Sequence, residues 1–276
     1  MKIKYDEFKV MVKIPELDID INSHDIDYQI YKSSKTIPDI AILNVWNLEE
    51  IYYKKFLTAN FKVFMYTKSY DNGLQLIFSG YTNSELVRNI PILSVANDNK
   101  IPSDLITQIK LTDSKKILQD CFIDKTYREP VSSSQIIQDC ADAMGIKSVI
   151  YSDVLPEKVY SVYKAKGKPN VVIDEICKAL NCEYLIQDDV LYLGSPKINN
   201  DTSSLVELNK DNSLNPESKN EYERLIITRL KSNIKPYDFV KCNFEDLEGI
   251  YKVSEVESSG NNYNTDGITK ITVSLK

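Results

Sequence analysis

Alternating apolar and polar residues near the start of the chain predict β-strands. Residues 8–14 place large apolar side chains at every second position, with lysines or a methionine between them, as in a strand with one buried face. Two further apolar runs, residues 61–66 and 74–78, flank the dipeptide Asn72-Gly73. Asparagine and glycine adopt the positive φ angles of a tight turn, so the pattern predicts a β-hairpin.

Residues 105–111 alternate in the same way and predict another half-buried strand. We find no helix-length pattern between the early strands, and many short strands joined by turns are typical of a barrel or sandwich. The first part of the chain is therefore expected to close into a small β-barrel.

The periodicity changes near residue 115 to the helical spacing of three to four residues. Ser132 and Gln135 form a Ser-x-x-Gln capping box, and Gly145 is placed to end the helix. The predicted apolar face of this helix comprises Ile136, Ile137, Cys140 and Met144. A strand over residues 148–151 follows.

A second unit of helix and strands repeats this order some 36 residues later. Asn170 is the predicted N-cap, and Asn181 is the predicted left-handed terminator. The predicted apolar face comprises Ile173, Ile176, Cys177 and Leu180. A hairpin over residues 184–193 completes the unit, and the polar segment 195–204 is the best candidate for a linker.

The last seventy or so residues return to strand patterns, which predict a second small barrel. These strands are expected over residues 225–230, 239–242, 249–253 and 269–275. The sequence therefore predicts an α+β, mainly β protein, with two small β-barrel domains flanking a small α/β domain. The expected domains are residues 1–114, 115–197 and 198–276.

Composition and charge exclude several classes of function. The 276 residues are 42% hydrophobic and 27% charged, and no stretch approaches the roughly 18 consecutive apolar residues of a membrane helix. The charged N-terminus lacks the apolar segment of a secretory signal, so we expect export only within an assembly or by lysis. A net charge of −6 repels phosphate backbones, so sequence-specific nucleic-acid binding is not expected.

The residues that hold metals and nucleotides are scarce. The chain has five cysteines without a Cys-x-x-Cys pair, and His24 is its only histidine. We expect no metal site and reduced thiols, with Cys140 and Cys177 as small core residues. The eight glycines form no phosphate-binding motif. No cofactor is therefore predicted.

The C-terminal strands carry a resemblance to a known family. Residues 230–240 resemble the L-x-x-x-I-x-P-x-x-x-V turn of phage late-control and baseplate-hub proteins, with Leu230, Ile234, Pro236 and Val240 at the matching positions. Tyr237 stands where that family often has glycine.

Other segments resemble the same family in the same order along the chain. Residues 247–256 resemble its x-G-x-Y-x-V-x-x-V strand, and residues 44–48 resemble its I-x-N-L segment. Residues 61–63 and 77–80 resemble a strand pair that ends in I-F-x-G. The family's His-Gly turn is replaced at residues 257–260.

The resemblance implies a structural protein that is not an enzyme. Each hub subunit would supply two tube-type barrels, so that a homotrimer presents six similar domains to a hexameric tail tube and three-fold symmetry to a spike. The implied partners are the spike, the tube protein, and baseplate wedge or tape-measure components. The implied location is the baseplate of a phage or phage-like particle assembled in the bacterial cytoplasm.

Two alternatives remain open. A tail-associated wall hydrolase would need two carboxylates facing one cleft, and the candidates are Glu16, Asp18, Asp20 and the pair Asp188-Asp189. Asp18 and Asp20 alternate with isoleucines, which instead favours a position on the solvent-exposed face of a strand. The pair Asp188-Asp189 fits the polar tip of a hairpin.

A cell-wall binding module is the second alternative, because Trp46 and the 18 tyrosines could stack on sugars. Tyr151, Tyr184 and Tyr192 lie in predicted strands, where packing explains them better. His24 is interpreted as part of an exposed loop rather than as a catalytic base. The basic cluster Lys164, Lys166 and Lys168 is interpreted as a solvated loop.

Overall fold

The computed structural model describes most of the chain. The described residues are 9–17, 19–21, 24–34, 38–69, 73–93, 102–113, 121–146, 148–151, 156–187, 190–194, 205–229, 234–263 and 267–275. By compactness the chain divides into two units. We call one the sheet unit (Met1–Lys35, Asp39–Thr112 and Ser203–Lys276) and the other the α/β unit (Thr36–Pro38 and Asp113–Thr202).

In its described residues, the N-terminal part of the sheet unit contains eight strands, one α-helix and two short 3-10 helices, Pro15–Leu17 and Ser84–Leu86. The strands are β1 (Lys9–Ile14), β2 (Ile19–Asp20), β3 (Ile26–Ser33), β4 (Ile40–Trp46), β5 (Lys62–Ser69), β6 (Gly73–Thr82), β7 (Arg88–Leu93) and β8 (Pro102–Thr112). The hairpin β5–β6 and the strands β1 and β8 confirm the alternation in the sequence. The hairpin's turn, residues 70–72, and Phe8 lie outside the described residues.

The expectation of no helix among the early strands is wrong, because α1 (Glu50–Thr58) follows β4. Glu49 precedes it without a side-chain cap, so the usual start signal is missing. Phe56 is its only buried residue and packs edge-on against Phe61, with ring centroids 5.9 Å apart. Tertiary packing of one aromatic residue therefore holds a helix that local sequence signals do not mark.

The C-terminal part of the sheet unit contains six strands: β16 (Val206–Asn209), β17 (Glu217–Asn220), β18 (Glu223–Arg229), β19 (Phe239–Phe244), β20 (Leu247–Asn261) and β21 (Gly267–Ser274). These confirm all four predicted strands and add two. All fourteen strands of the sheet unit belong to one sheet, with the main order β17-β18-β21-β20-β3-β4-β8-β6-β5-β1-β2. β16 and β19 join it through β20, and β7 joins it through β8.

This single sheet packs around two separate hydrophobic cores. The N-terminal core is built from residues 12–111 and includes Tyr28, Leu43 and Phe78. The C-terminal core is built from residues 208–273 and includes Val253 and Ile271. The mainly β, α+β class is confirmed.

The α/β unit has its own core between two helices and short strands. Its elements are β9 (Ile123–Tyr127), β10 (Val131–Ser132), α2 (Ser133–Ala143), β11 (Ser148–Tyr151), β12 (Val159–Tyr160), β13 (Tyr163–Gly167), α3 (Pro169–Leu180), β14 (Tyr184–Gln187) and β15 (Val190–Leu193). β11 pairs in parallel with β15, and β15 pairs antiparallel with β14. The predicted domain boundaries after residues 114 and 197 stay predictions.

The two helices of the α/β unit follow their sequence signals closely, with one correction. Ser132 accepts a hydrogen bond from the Gln135 N–H at 3.2 Å, which confirms the predicted cap of α2. Asn170 is not the N-cap of α3: Lys168 is, because Pro169 takes the first helical position, where its missing N–H costs nothing. Asn181 ends α3 with φ 51°, as predicted.

Candidate assembly surfaces

The strand β20 is the structural joint between the two cores. Residues 247–252 pair with β19, and residues 255–261 pair with β3. β21 pairs along the opposite edge of β20, over residues 252–260. A long strand that changes partners part-way thus makes the N-terminal and C-terminal strands one continuous sheet.

A buried carboxylate lies where β20 changes partners. The register shifts between Val253 and Glu255, which is a β-bulge. The Glu255 side chain is 8% exposed and forms an ion pair with Lys219 of β17. Burial, and then a hydrogen bond to Glu255, raise the pKa of Tyr31 on β3. The joint is therefore held by polar side chains from three strands as well as by backbone pairing.

The side chain of Asn262, directly after β20, bonds to backbone groups near the start of β3. Its Oδ1 accepts a hydrogen bond from the Ile26 N–H at 2.7 Å, and its Nδ2 donates to the His24 carbonyl at 2.7 Å. The Asn262 N–H also donates to the Ile26 carbonyl at 3.1 Å. One amide side chain thus satisfies a donor and an acceptor that lie 236 and 238 positions away in sequence.

His24 and Trp46 lie at the same end of the sheet. Trp46 packs edge-on against Tyr263, with ring centroids 5.6 Å apart. His24 Nδ1 lies 3.2 Å from the Trp46 carbonyl oxygen, and His24 is half-buried. His24 lies in a loop before β3, as predicted, but the predicted exposure is wrong, because the residue is half-buried and contacts Trp46 and Asn262.

The turn before β19 explains one departure from the family pattern. Tyr237, which stands where the family often has glycine, has φ 75°, in the left-handed region that favours glycine. Its N–H donates to the Val253 carbonyl at 2.9 Å, and Lys252 Nζ lies 4.1 Å from its ring centroid. These two contacts hold Tyr237 in the left-handed conformation.

Several parts of the sheet unit remain open to other molecules. Among the described residues β7 pairs only with β8, and its Ile90 is 41% exposed. All four residues of β17 are exposed. Unpaired strand edges and exposed apolar side chains are the usual material of subunit interfaces.

Of the carboxylates proposed for a hydrolase, only the side chain of Glu16 lies in the described part of the chain. The Glu16 side chain accepts a hydrogen bond from the Lys62 N–H at 3.3 Å. Asp18, Asp188 and Asp189 lie outside the described residues, as does the side chain of Asp20. The described residues contain no cluster of histidine, cysteine, aspartate and glutamate that fits a metal ion. None of their helices is long and apolar enough to cross a membrane.

A small cavity lies between the two cores and is too small for a substrate. Its volume is about 10 Å³, which is the space of a single water molecule. The lining residues are Ile30, Lys32, Leu76, Ile77, Ile234, Lys235, Val256 and Ser258. It is a packing gap at the joint.

The aromatic and basic candidates have mostly structural surroundings. Tyr184 is half-buried and donates from its hydroxyl to the Asn170 carbonyl at 3.2 Å. The Tyr192 backbone pairs with two neighbouring strands. Lys164 and Lys166 are exposed side chains of β13, so this cluster is part of a strand rather than of the predicted loop.

Comparisons with known proteins place this fold among tail proteins. The chain is similar to the 43 kDa tail protein of prophage MuSo2 from Shewanella oneidensis, with a TM-score of 0.68, 11% identity, and coverage of 96% of this chain and 98% of that chain. It is similar to a tail protein from Neisseria meningitidis MC58, with a TM-score of 0.67, 9% identity, and coverage of 97% and 96%. The chain has the fold of phage tail proteins. The resemblance found in the sequence is confirmed.

A component of a type VI secretion system shares the fold with a lower TM-score. The E. coli c3393 protein, described as a type VI secretion component similar to the T4 tail proteins gp27 and gp5, matches with a TM-score of 0.54 and 8% identity. The match covers 95% of this chain and 76% of that one. No family model matches the sequence, and no curated protein matches it significantly.

Sequence reasoning missed the residues that make the joint of this tail-protein fold. Asn262 and Glu255 gave no local signal, because each acts on partners that only the folded sheet brings near. The strand β3, which pairs with β20, was also missed, although Ile26, Tyr28 and Ile30 are buried at every second position. That alternation was the one available signal.

Proposed function

We propose that this chain is the baseplate hub subunit of a phage or phage-like tail. Three copies form a ring that joins the hexameric tail tube to the trimeric spike. The subunit is a structural protein without enzymatic activity, and it works in the tail particle after assembly in the bacterial cytoplasm and release by lysis.

The observation that carries the proposal is the presence of two β cores in one sheet, within a fold that matches tail proteins over nearly their whole length. Two cores per subunit become six in a trimer. Most homo-oligomers have closed point-group symmetry, and a three-fold ring of paired cores matches a six-fold partner on one side and a three-fold partner on the other.

The joint supports a role in transmitting force. A flexible linker between the two cores would let them move separately, whereas here seven residue pairs of β20 and β3 connect them directly. Asn262 and the pair of Lys219 with Glu255 add contacts at both ends of that pairing. Load applied to one core passes to the other through the sheet.

Partner surfaces are available where such a ring needs them. The open side of β7 and the exposed β17 can pair with a neighbouring subunit, and spike and tube proteins are the partners of the ring's two faces. Baseplate wedge or tape-measure components are further candidates. A wall-binding role is less well supported, since Trp46 already packs on Tyr263.

The solution mass of the purified chain tests the proposal. Light scattering after size exclusion should give three times the 31.6 kDa chain mass for the chain alone, or three chain masses plus the mass of the bound spike when the spike protein encoded nearby is added. A chain that stays monomeric with every candidate spike contradicts the hub assignment.

A matched pair of variants tests the edge of β7. Ile90→Lys places a charge on that open strand and should weaken the trimer, because a charge at a buried interface is costly. Ile51→Lys on α1 changes a side chain that is 58% exposed and should leave the trimer intact. If both variants assemble like the parent, β7 is not at the interface.

A further inference from the structure

The last turn of α3 brings two cysteines together. The Cys182 N–H donates to the Cys177 carbonyl at 2.9 Å, and the Asn181 N–H donates to the Lys178 carbonyl at 3.2 Å. These two bonds, with Asn181 in the left-handed conformation, form a Schellman motif. The motif places the side chains of the residues that it joins, Cys177 and Cys182, against each other.

The two thiols are neighbours at the end of α3. The proximity of Cys182 is one of the causes, after burial, that raise the pKa of the Cys177 thiol. Cys177 is 2% exposed, while Cys182 is half-buried and packs at the border of the α/β core. The pair thus joins one half-buried cysteine to one that is almost fully buried.

The remaining cysteines have different surroundings. All five cysteines are described, and none forms a disulfide in the structure. Cys140 and Cys242 are buried, and Cys121 is half-buried. A mild oxidant can therefore react with the half-buried Cys182, and the Cys177 thiol lies beside it as the second partner for a disulfide.

We propose that Cys177 and Cys182 are a redox site that a peroxide converts to a disulfide. In the first step the Cys182 thiolate attacks a peroxide oxygen, the O–O bond breaks, and Cys182 becomes a sulfenic acid, while the departing hydroxide takes up the proton that the Cys182 thiol had lost and leaves as water. In the second step the Cys177 sulfur attacks the Cys182 sulfur, the S–O bond breaks, and the hydroxide takes the Cys177 proton as water. Two thiols and one hydrogen peroxide give one disulfide and two waters, so the thiols lose two electrons.

The surroundings of the two sulfurs set the order and the rate of these steps. Burial raises the pKa of both thiols, and the neighbouring Cys177 thiol partly offsets this rise at Cys182. Cys182 therefore ionises first and is the attacking sulfur. Its raised pKa makes the reaction slow at neutral pH and faster at higher pH, since the thiolate is the nucleophile.

The disulfide would lock the end of α3. It closes a short loop across the helix terminus and removes conformations from the unfolded chain, which stabilises the α/β unit. The reducing bacterial cytoplasm keeps the pair open during assembly. The oxidising medium outside the cell would then form the disulfide. This extracellular setting rests on the proposed function, whereas the reaction of the two thiols with peroxide does not depend on it.

The experiment treats the full native chain with excess hydrogen peroxide, alkylates the remaining thiols in denaturant, and digests with trypsin. Lys178 lies between the two cysteines, so trypsin separates their peptides unless a disulfide joins them. The expected product is this linked pair, lighter than the two reduced peptides by two hydrogen atoms. Its formation should be up to about tenfold faster for each added pH unit, and the oxidised chain should melt a few degrees higher until dithiothreitol is added.

Two variants provide the controls. Cys121→Ser should form the linked pair at the parent's rate, and Cys182→Ser should form none while melting near the parent's temperature. The proposal is overturned if Cys182 proceeds to sulfinic acid while Cys177 stays alkylatable, or if Cys182 links to Cys121 instead. Neither result depends on the solution mass of the chain, so the site and the hub assignment fail separately.

Discussion

The α/β unit and the sheet unit differ in the range of the contacts that define them. In the α/β unit the capped helices α2 and α3 are close in sequence to the strands beside them. In the sheet unit, β3 pairs with β20, more than two hundred residues later. The first kind of region forms from local signals, whereas the second depends on long loop closure before its contacts can stabilise it.

The difference has a functional meaning under the proposed role. Because the joint pairs β3 with β20 and uses Asn262, it cannot form until the chain up to residue 262 is present. The two cores of the sheet unit are therefore coupled through the sheet, and this coupling can be measured.

The largest effect is expected from a cavity in the C-terminal core. Ile271 on β21 is fully buried, and Ile271→Ala should lower the free energy of unfolding by about 2–5 kcal/mol. Because β21, β20 and β3 are neighbours in the sheet, faster amide exchange should extend to β3. Hydrogen exchange with mass spectrometry measures this, and protection of β3 at the parent's level would show that the two cores are uncoupled.

The control for that variant is Ile173→Ala in α3, which is equally buried. It leaves a cavity of the same kind in the α/β core, so faster exchange is expected in α2 and α3.

The next effect concerns the Asn262 side chain. Asn262→Ala leaves the Ile26 N–H and the His24 carbonyl without their partner, which should cost about 1–3 kcal/mol in the free energy of unfolding. Asn243→Ala, which removes an exposed amide bonded to Glu207 at 3.3 Å, should change it by less than about 0.5 kcal/mol. Denaturant titration measures the free energy of unfolding of both variants. Equal losses would show that the hydrogen bonds of Asn262 do not stabilise the joint.

The pH dependence should have opposite signs in the two units. Burial raises the pKa of Asp139 on α2, but hydrogen bonds from Lys125, Tyr127 and Gln135 outweigh it and lower the net pKa below the ordinary value of 3.8. Its stabilising effect is therefore present above that value and lost as the pH falls through the folded pKa. Asp139→Asn should lower stability by about 1–2 kcal/mol at pH 7 and by progressively less in acid.

Asp27 on β3 should make stability depend on pH in the opposite direction to Asp139. Burial raises its pKa, and a hydrogen bond from Asn44 offsets the rise only in part. Ionised Asp27 therefore opposes folding at pH 7, and this penalty disappears as the pH falls through the raised pKa. Asp27→Asn should be at least as stable as the parent at pH 7, with a difference that closes in acid. Melting curves from pH 7 to 3 test both variants, and a parallel response would contradict this assignment.

The smallest effect tests backbone strain in the turn before β19. Tyr237→Ala removes the ring contact with Lys252 but keeps a side chain at φ 75°. Tyr237→Gly removes the same contact and relieves the strain, so it should be more stable than Tyr237→Ala by about 1 kcal/mol. Thermal unfolding of the pair measures this, and the reverse order would show that the turn is not strained.

Local sequence signals accounted for much of the secondary structure. The Ser132 cap, the Asn181 terminator and the β5–β6 hairpin were predictable because each depends on residues only a few positions apart. The start of α3 was predicted two residues too late, at Asn170, because the neighbouring Pro169, which is typical of the first helical position, was not used as the start signal. The helix α1 was missed because its stability depends on Phe56 in the core rather than on caps or propensity.

By itself the sequence determined the alternation of the strands, the faces of α2 and α3, and a motif order that pointed to the tail-protein fold. Those properties follow from side-chain spacing and from φ preferences of single residues. Only the tertiary structure decided that the two end segments share one sheet, that β20 changes partners at Glu255, and that Asn262 bridges His24 and Ile26. Strand pairing uses backbone groups that every residue carries, so the choice of partner across two hundred residues is set by packing of the whole chain.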